Sequence, residues 1–347
     1  MDLLQFTKRG IYCPQGEFYI DPWLPVDQAI ITHAHADHAR WGMKKYLCHH
    51  FTKPLLYSRI SKDITCESMA YGESKTIKGV KVSLHPAGHI VGSAQVRLEY
   101  KGRIAVASGD YKTSPDDIST PFELVKCHDY VTESTFGLPI YQWKTNDDLK
   151  NELQNWVLQN QADGKTSVFI GYSLGKAQRI MKSIEGSAKL FVHSAIDRLN
   201  RCMIESGLDI PDYEVLHKVE NKKDMAGQIV VVPPALLGSN LLKKIPNTAI
   251  AICSGWMHIR GNRRWRAVDA GFVMSDHADW NELVNVVKST EAERVYVTHG
   301  STEIFSRYLN EQGIYAEPVK TNFGIEEEEK EEAKVVTTEK GESDNKG

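Results

Sequence analysis

The sequence predicts an α/β fold, and three observations predict it. Residues 1 to about 137 read as short apolar or alternating runs separated by turns. From about Leu138 to Trp265 apolar strands alternate with segments of helical spacing, which calls for a parallel sheet. The side chains able to do chemistry fall just past the ends of predicted strands. At 347 residues the chain is long enough for two domains of ordinary size.

Taken in order, Gly16–Ile20 leads into Asp21-Pro22, and Ala29–Thr32 is apolar and β-branched enough for a buried strand. Val80–Leu84 alternates as a strand. Ala94–Tyr100, the turn Lys101-Gly102 and Arg103–Ala107 read as a hairpin. Asp129–Thr132 is another buried strand. A helix over Asn146–Asn160 is predicted by Leu149, Leu153, Trp156 and Val157, with Asn146 as its cap. Strands follow at Val168–Tyr172, Lys189–His193, Gln228–Val232 and Thr248–Cys253. Helices are expected after Ser173-Leu174-Gly175 and over Ala195–Glu205. Gly271–Met274 reads as a strand, Asn281–Ser289 as a helix and Arg294–Thr298 as a strand.

Composition excludes several classes. Hydrophobic residues are 41% and charged residues 25%, ordinary for a globular protein. No apolar run approaches a membrane span, and MDLLQFTKRG lacks the pattern of a secretory signal. The six cysteines are scattered and form no CxxC pair, so reduced thiols in a cytoplasmic setting are expected. Net charge is −3, but Ile325–Gly347 carries nine acids against four lysines. That leaves the tail at −5 and the rest at +2. The tail is expected to be disordered and acidic, and any nucleic-acid binding must come from local patches.

The run ITHAHADHAR places His33, His35, Asp37 and His38 on one loop after a predicted strand. Imidazoles and a carboxylate so close suit zinc, and the carboxylate also admits manganese or iron. Two metals side by side can generate hydroxide and hold a phosphodiester for attack. Such a site needs further ligands, and later strand ends offer His89 in PAGHIVGSA, Asp110 in ASGDYK and His299 in VTHGS. Gly88 and Gly92 permit tight backbone around His89. An αββα sandwich builds a site in this way. His49 and His50 adjoin this region, but adjacent side chains diverge, and both are expected on the surface.

In order along the chain, HAHADH, GHIVGSA, SGDYK, SDHAD and VTHG resemble the motifs of the metallo-β-lactamase fold. VTESTFG, SGWMHIRGNRR and SDHADW look like its β-CASP nuclease branch, and within that branch the EFYIDPW and YSLGKAQR segments are similar to the bacterial DNA ligase-associated exonucleases. The resemblance covers roughly residues 8–323. It implies an αββα sandwich from residues 1–137 and 267–324, an inserted β-CASP α/β domain over 138–266, and a separate tail over 325–347. It implies that His33, His35 and His89 hold one divalent ion, that Asp37, His38 and His299 hold a second, and that Asp110 bridges them. Asp21 would orient a ligand. Glu133 and His277 would lie beside the scissile phosphate, with His277 donating a proton and Glu133 holding its other nitrogen; Asp37 counts with them in the catalytic set.

Phosphate contacts are expected from Ser173 and Lys176, between a strand and a helix N-terminus. Arg263 and Arg264 lie in the densest basic and aromatic stretch, with Arg260, Arg266, Trp256 and Trp265. The expectation is therefore a nuclease using two zinc or manganese ions on DNA, single-stranded or at ends under repair, with a DNA ligase as partner. A ribonuclease on the same scaffold and a non-catalytic nucleic-acid-binding subunit are the alternatives.

Overall fold

A computed structural model describes residues 2–259 and 268–321. By their contacts these fall into two compact units, one of residues up to Gln142 and from Asp276 onward, the other Trp143–Ser275.

The first unit opens with a six-stranded sheet of β1 (Gln5–Thr7), β2 (Gly10–Cys13), β3 (Phe18–Ile20), β4 (Gln28–Ile30), β5 (Lys45–His49) and β6 (Cys66–Met69), in that order. β1 to β3 are antiparallel; β3 to β6 are parallel. Helix α1 (Thr52–Arg59) packs beside β5 and β6. The chain then forms β7 (Ser74–Ile77), β8 (Val80–Pro86), β9 (Ala94–Tyr100), β10 (Arg103–Ala107) and β11 (Asp129–Glu133) of a second sheet. The predicted hairpin is present: Arg103 pairs with Tyr100, and Lys101 and Gly102 both take positive φ, which a two-residue turn of matching twist requires.

The second unit holds helix α2 (Asn146–Ala162), β12 (Thr166–Ile170), α3 (Lys176–Ser183), β13 (Leu190–Val192), α4 (Ser194–Glu205), β14 (Glu214–Val215), β15 (Ile229–Val232), α5 (Asn240–Lys243), β16 (Thr248–Cys253) and β17 (Ala270–Phe272). Its six strands run in the order β14-β13-β15-β12-β16-β17 and all pair parallel, as the β/α alternation predicts. β12 ends two residues before the expected boundary. The chain leaves the sheet at Gly171, where a side chain would lie 2.6 Å from Ile180 Cδ1 of α3. α2 is capped by Thr145 rather than Asn146, because Thr145 is extended and its hydroxyl accepts from the amide of Asp148. β17 pairs with β16, so 268–275 sit by contact with the second unit.

The first unit resumes with α6 (Trp280–Ser289), β18 (Arg294–Thr298), α7 (Thr302–Glu311) and β19 (Ala316–Pro318). The second sheet then reads β19-β18-β11-β10-β9-β8-β7. One of its faces, through Val82, Val96 and Val131, packs on Phe18, Ile30 and Leu47 of the first sheet. The other face, through Tyr130, Val295 and Val297, packs on Leu283 and Val287 of α6 and on Phe305 and Leu309 of α7. Burial of these side chains is the main stabilising term. The result is two sheets face to face with helices outside them, an αββα sandwich. His49 is not on the surface: it is buried at the end of β5 and stacks on Tyr71 with ring centroids 3.6 Å apart.

Candidate metal centre

The parallel strands of the first unit end at a common edge, and the loops leaving them carry the donors. β4 ends at Ile30, and the loop after it turns through His35, whose carbonyl accepts from the amides of His38 and Ala39. His89 sits between β8 and β9. Gly88 there has φ 72°, and a side chain on it would lie 2.2 Å from the Lys112 carbonyl oxygen. The Ser93 hydroxyl accepts from the amides of His89 and Ile90. Asp110 follows β10. β11 and β18 pair with Glu133 opposite Thr298, so Glu133 and His299 emerge side by side.

All seven donors expected to be ligands come together. His33, His35, His89 and Asp110 form one group and Asp37, His38 and His299 another, each with ligand atoms within 4.8 Å of one another. Asp110 Oδ2 lies 3.5 Å from His33 Nε2, 3.9 Å from His89 Nε2 and 3.3 Å from His38 Nε2, so it faces both groups. His35 Nδ1 is 3.1 Å from His89 Nε2. Asp37 Oδ2 is 3.5 Å from His38 Nε2 and 3.8 Å from His299 Nε2. A third group joins Asp110, Glu133 and His277.

The outer nitrogens are fixed by neighbours. His38 Nδ1 donates to Asp21 Oδ2 at 2.7 Å, and Asp21 Oδ1 accepts from the Thr32 amide at 2.8 Å. His89 Nδ1 donates to the Asp276 carbonyl at 2.8 Å. His277 Nδ1 lies 2.9 and 3.1 Å from the two Glu133 oxygens, and Glu133 also accepts from the Tyr111 amide. In each case Nε2 is left to face the donor cluster.

Burial, with His38 nearby, holds His33 well below the usual histidine range. Burial, with His277 and His35 beside it, brings His89 down to about 3. Both rings are therefore neutral, the form that binds metal. Burial also acts against charge on His38, but Asp37, Asp110 and Asp21 outweigh it and hold it well above its usual value. Burial would raise Asp110, yet His38 and His299 keep it well below the carboxylate range. His33 Nε2 and Asp110 Oδ1 are buried without a hydrogen-bond partner. Buried imidazole and carboxylate atoms in that condition suit divalent cations.

Ser173 and Lys176 lie in the second unit, Ser173 on the loop from β12 into α3 and Lys176 as the first residue of α3. Both are buried, and Lys176 Nζ sits 4.4 Å from the centroid of the Tyr172 ring. Arg263 and Arg264, with Arg260, Trp265, Arg266 and the acidic tail, lie outside the described residues. Sequence reasoning missed Thr32, Thr298 and the Asp276 carbonyl, each of which holds a histidine. Position alone carried a signal for the threonines, since each directly precedes a candidate ligand.

No family model matches the chain. It is 29% identical to a probable DNA ligase of Opitutus terrae over 89% of this chain and 30% of that protein. It is 22% identical to RNase aCSPSF2 of Saccharolobus solfataricus, over 79% of this chain and 60% of the relative. It is 24% identical to cleavage and polyadenylation specificity factor 73 of Drosophila melanogaster, over 44% and 23%. The chain thus spans less than two thirds of the length of each of these relatives. A crystal structure of a protein of unknown function from Enterococcus faecalis V583 shares the fold, with TM-score 0.58 and 12% identity over 86% of this chain and 80% of that one. With its ordered motifs and its paired sheets, the chain is similar to these relatives, which are members of the β-CASP branch of the metallo-β-lactamase fold family.

Proposed function

We propose that this chain is a metal-dependent nuclease that hydrolyses phosphodiester bonds in DNA, acting on single strands or on ends under repair. The observation that carries the reading is the gathering of seven buried or half-buried donors in two groups, with the Asp110 carboxylate in the first and against His38 of the second. His33, His35 and His89 would hold one divalent ion and Asp37, His38 and His299 the other, with Asp110 between them. Divalent ions supply Lewis acidity toward a phosphodiester and lower the pKa of water. The mixed imidazole and carboxylate set accepts zinc or manganese.

The chain's own residues do the rest. Asp21 keeps His38 in the tautomer that presents Nε2. Glu133 orients His277 through Nδ1, and a protonated His277 carries its second proton at Nε2, where it can pass to the leaving oxygen. Ser173 and Lys176, near the N-terminus of α3, and Arg263 and Arg264 are assigned to substrate phosphates.

The match to part of a protein named a probable DNA ligase supports DNA ends as substrate and a ligase as partner. The relatives named as RNases favour RNA as the second reading. A cytoplasmic location accords with six free cysteines; among the described residues no helix is long and apolar enough to cross a membrane. The test is cleavage of labelled single-stranded DNA, matched RNA and duplex DNA, with zinc and manganese supplied separately. Single-stranded DNA is expected to be cut fastest. Faster cleavage of RNA would move the substrate to RNA, and no cleavage under any metal would leave a binding subunit.

A further inference from the structure

The first unit contains a cavity of about 300 Å³ lined by Arg9, Tyr12, Tyr19, Gln28, Gly42 and Lys44, among others. We propose that it receives an unpaired base of the substrate strand, with Trp41 stacking on a neighbouring base; this rests on the reading above that the substrate is nucleic acid.

The volume lies at the lower end of the range for small-ligand sites. Tyr12 and Tyr19 supply an aromatic wall, with ring centroids 4.6 Å apart and planes inclined at 34°. Two acids, Glu17 and Asp27, also line it, and both have lysine partners: Lys78 with Glu17, and Lys44 with Asp27 at 2.6 Å. Arg9 and Lys44 balance the acids, so the lining carries no excess charge. That suits a flat, neutral ligand with a hydrogen-bonding edge better than it suits a phosphate. Every base offers such a face and edge.

The cavity is tied to the donor cluster by one short loop. After Asp37 and His38 the chain runs through Arg40 and Trp41 to Gly42, which lines the cavity. Gly42 has φ 102°, and a side chain there would lie 3.2 Å from Pro25 Cγ. Tyr46 pins the loop on both sides of Trp41-Gly42: its hydroxyl donates to the Arg40 carbonyl at 2.8 Å and accepts from the Met43 amide at 3.1 Å. Trp41 is nonetheless 73% exposed. Single exposed apolar residues are ordinary. An indole on a pinned backbone, one residue from an aromatic cavity and three from His38, is placed to stack. Gln28 and His33 are five residues apart, at most about 18 Å along an extended chain. A strand of a few nucleotides spans that distance.

The test uses the full chain freed of metal, so that binding is read without cleavage. Fluorescence anisotropy is measured with labelled oligothymidylates of increasing length. Trp41→Ala is expected to weaken binding of the longer oligonucleotides about ten-fold, the effect of losing one stacked base. Trp41→Phe should restore most of it. An oligonucleotide abasic at its far end should bind wild-type protein as weakly as the intact one binds Trp41→Ala. Tyr19→Leu, checked for folding by circular dichroism, should produce the same length-dependent loss. Equal affinities of wild type and Trp41→Ala at every length would overturn the proposal while leaving the nuclease reading intact. Failure of the wild type to bind any single strand would defeat the nuclease reading itself.

Discussion

Thr32 and Thr298 make the same contact, one in each donor group: each hydroxyl lies beside Nδ1 of the histidine that follows it, at 3.0 Å for His33 and 3.3 Å for His299. A hydroxyl has one proton to give. Thr32 gives its proton to Asp21 Oδ2 at 2.5 Å, and Thr298 gives its own to the Thr132 carbonyl at 3.0 Å. Each can therefore only accept from the ring, an arrangement that matches the tautomer presenting the Nε2 lone pair to the cluster. Asp21 Oδ2 also takes the Nδ1 proton of His38, so one carboxylate fixes rings in both groups. Thr32→Val is expected to lower metal affinity about 10–100-fold, the usual effect of losing such a partner. Thr32→Ser should retain wild-type affinity. Competition with a chromophoric chelator measures both, and unchanged affinity in Thr32→Val would show that the hydroxyl orients nothing.

Asp110→Asn removes the carboxylate shared by the two groups. Turnover is expected to vanish, and elemental analysis should show fewer ions per chain. A variant as active as the wild type with both ions retained would refute the bridging role.

His277→Ala should behave differently. If His277 is a proton donor oriented by Glu133, metal content stays at the wild-type level while the rate falls about 10²–10⁴-fold. His277 also shares a possible metal group with Asp110 and Glu133. Loss of a metal equivalent in the variant would make it a ligand instead.

Away from the cluster, Asp129 ties three strands. It accepts from Arg103 Nε at 2.6 Å and Nη2 at 2.9 Å, and from Arg294 Nε at 2.7 Å. Burial would raise its pKa, but the two arginines outweigh burial and lower it. Asp129→Asn is expected to cost about 2 kcal/mol, the scale of hydrogen bonds to a charged group. Because the folded pKa is depressed, the contribution is present above the unfolded value of about 3.9 and is lost as pH falls through the folded value. Thermal unfolding should show a gap between wild type and variant at pH 7 that narrows below about pH 4. A gap that widened on acidification would contradict the assignment.

The parallel sheet of the second unit was legible because Val168–Ile170, Ile229–Val232 and Ala251–Cys253 are runs in which every residue is buried, so both faces of the sheet are covered. The hairpin at Lys101-Gly102 was legible from turn chemistry. The first sheet was harder to read. Its strands are three to five residues long, and β5, KYLCH, carries polar residues at both ends, so no period emerges. His49 was misread because its burial depends on Tyr71, a neighbour only in the folded chain. The donors were legible because they follow strand ends in compact runs. Their supports were less so: Thr32 and Thr298 are marked only by directly preceding a candidate ligand, and the Asp276 carbonyl has no sequence pattern at all.

We propose the donor cluster as a two-metal centre serving phosphodiester hydrolysis. The direct measurement is titration of metal-free protein with zinc or manganese, following bound ions and cleavage of single-stranded DNA in the same samples. Cleavage is expected to rise with the second equivalent and to be absent in Asp110→Asn. Two ions bound per chain with no cleavage of DNA or RNA would contradict it.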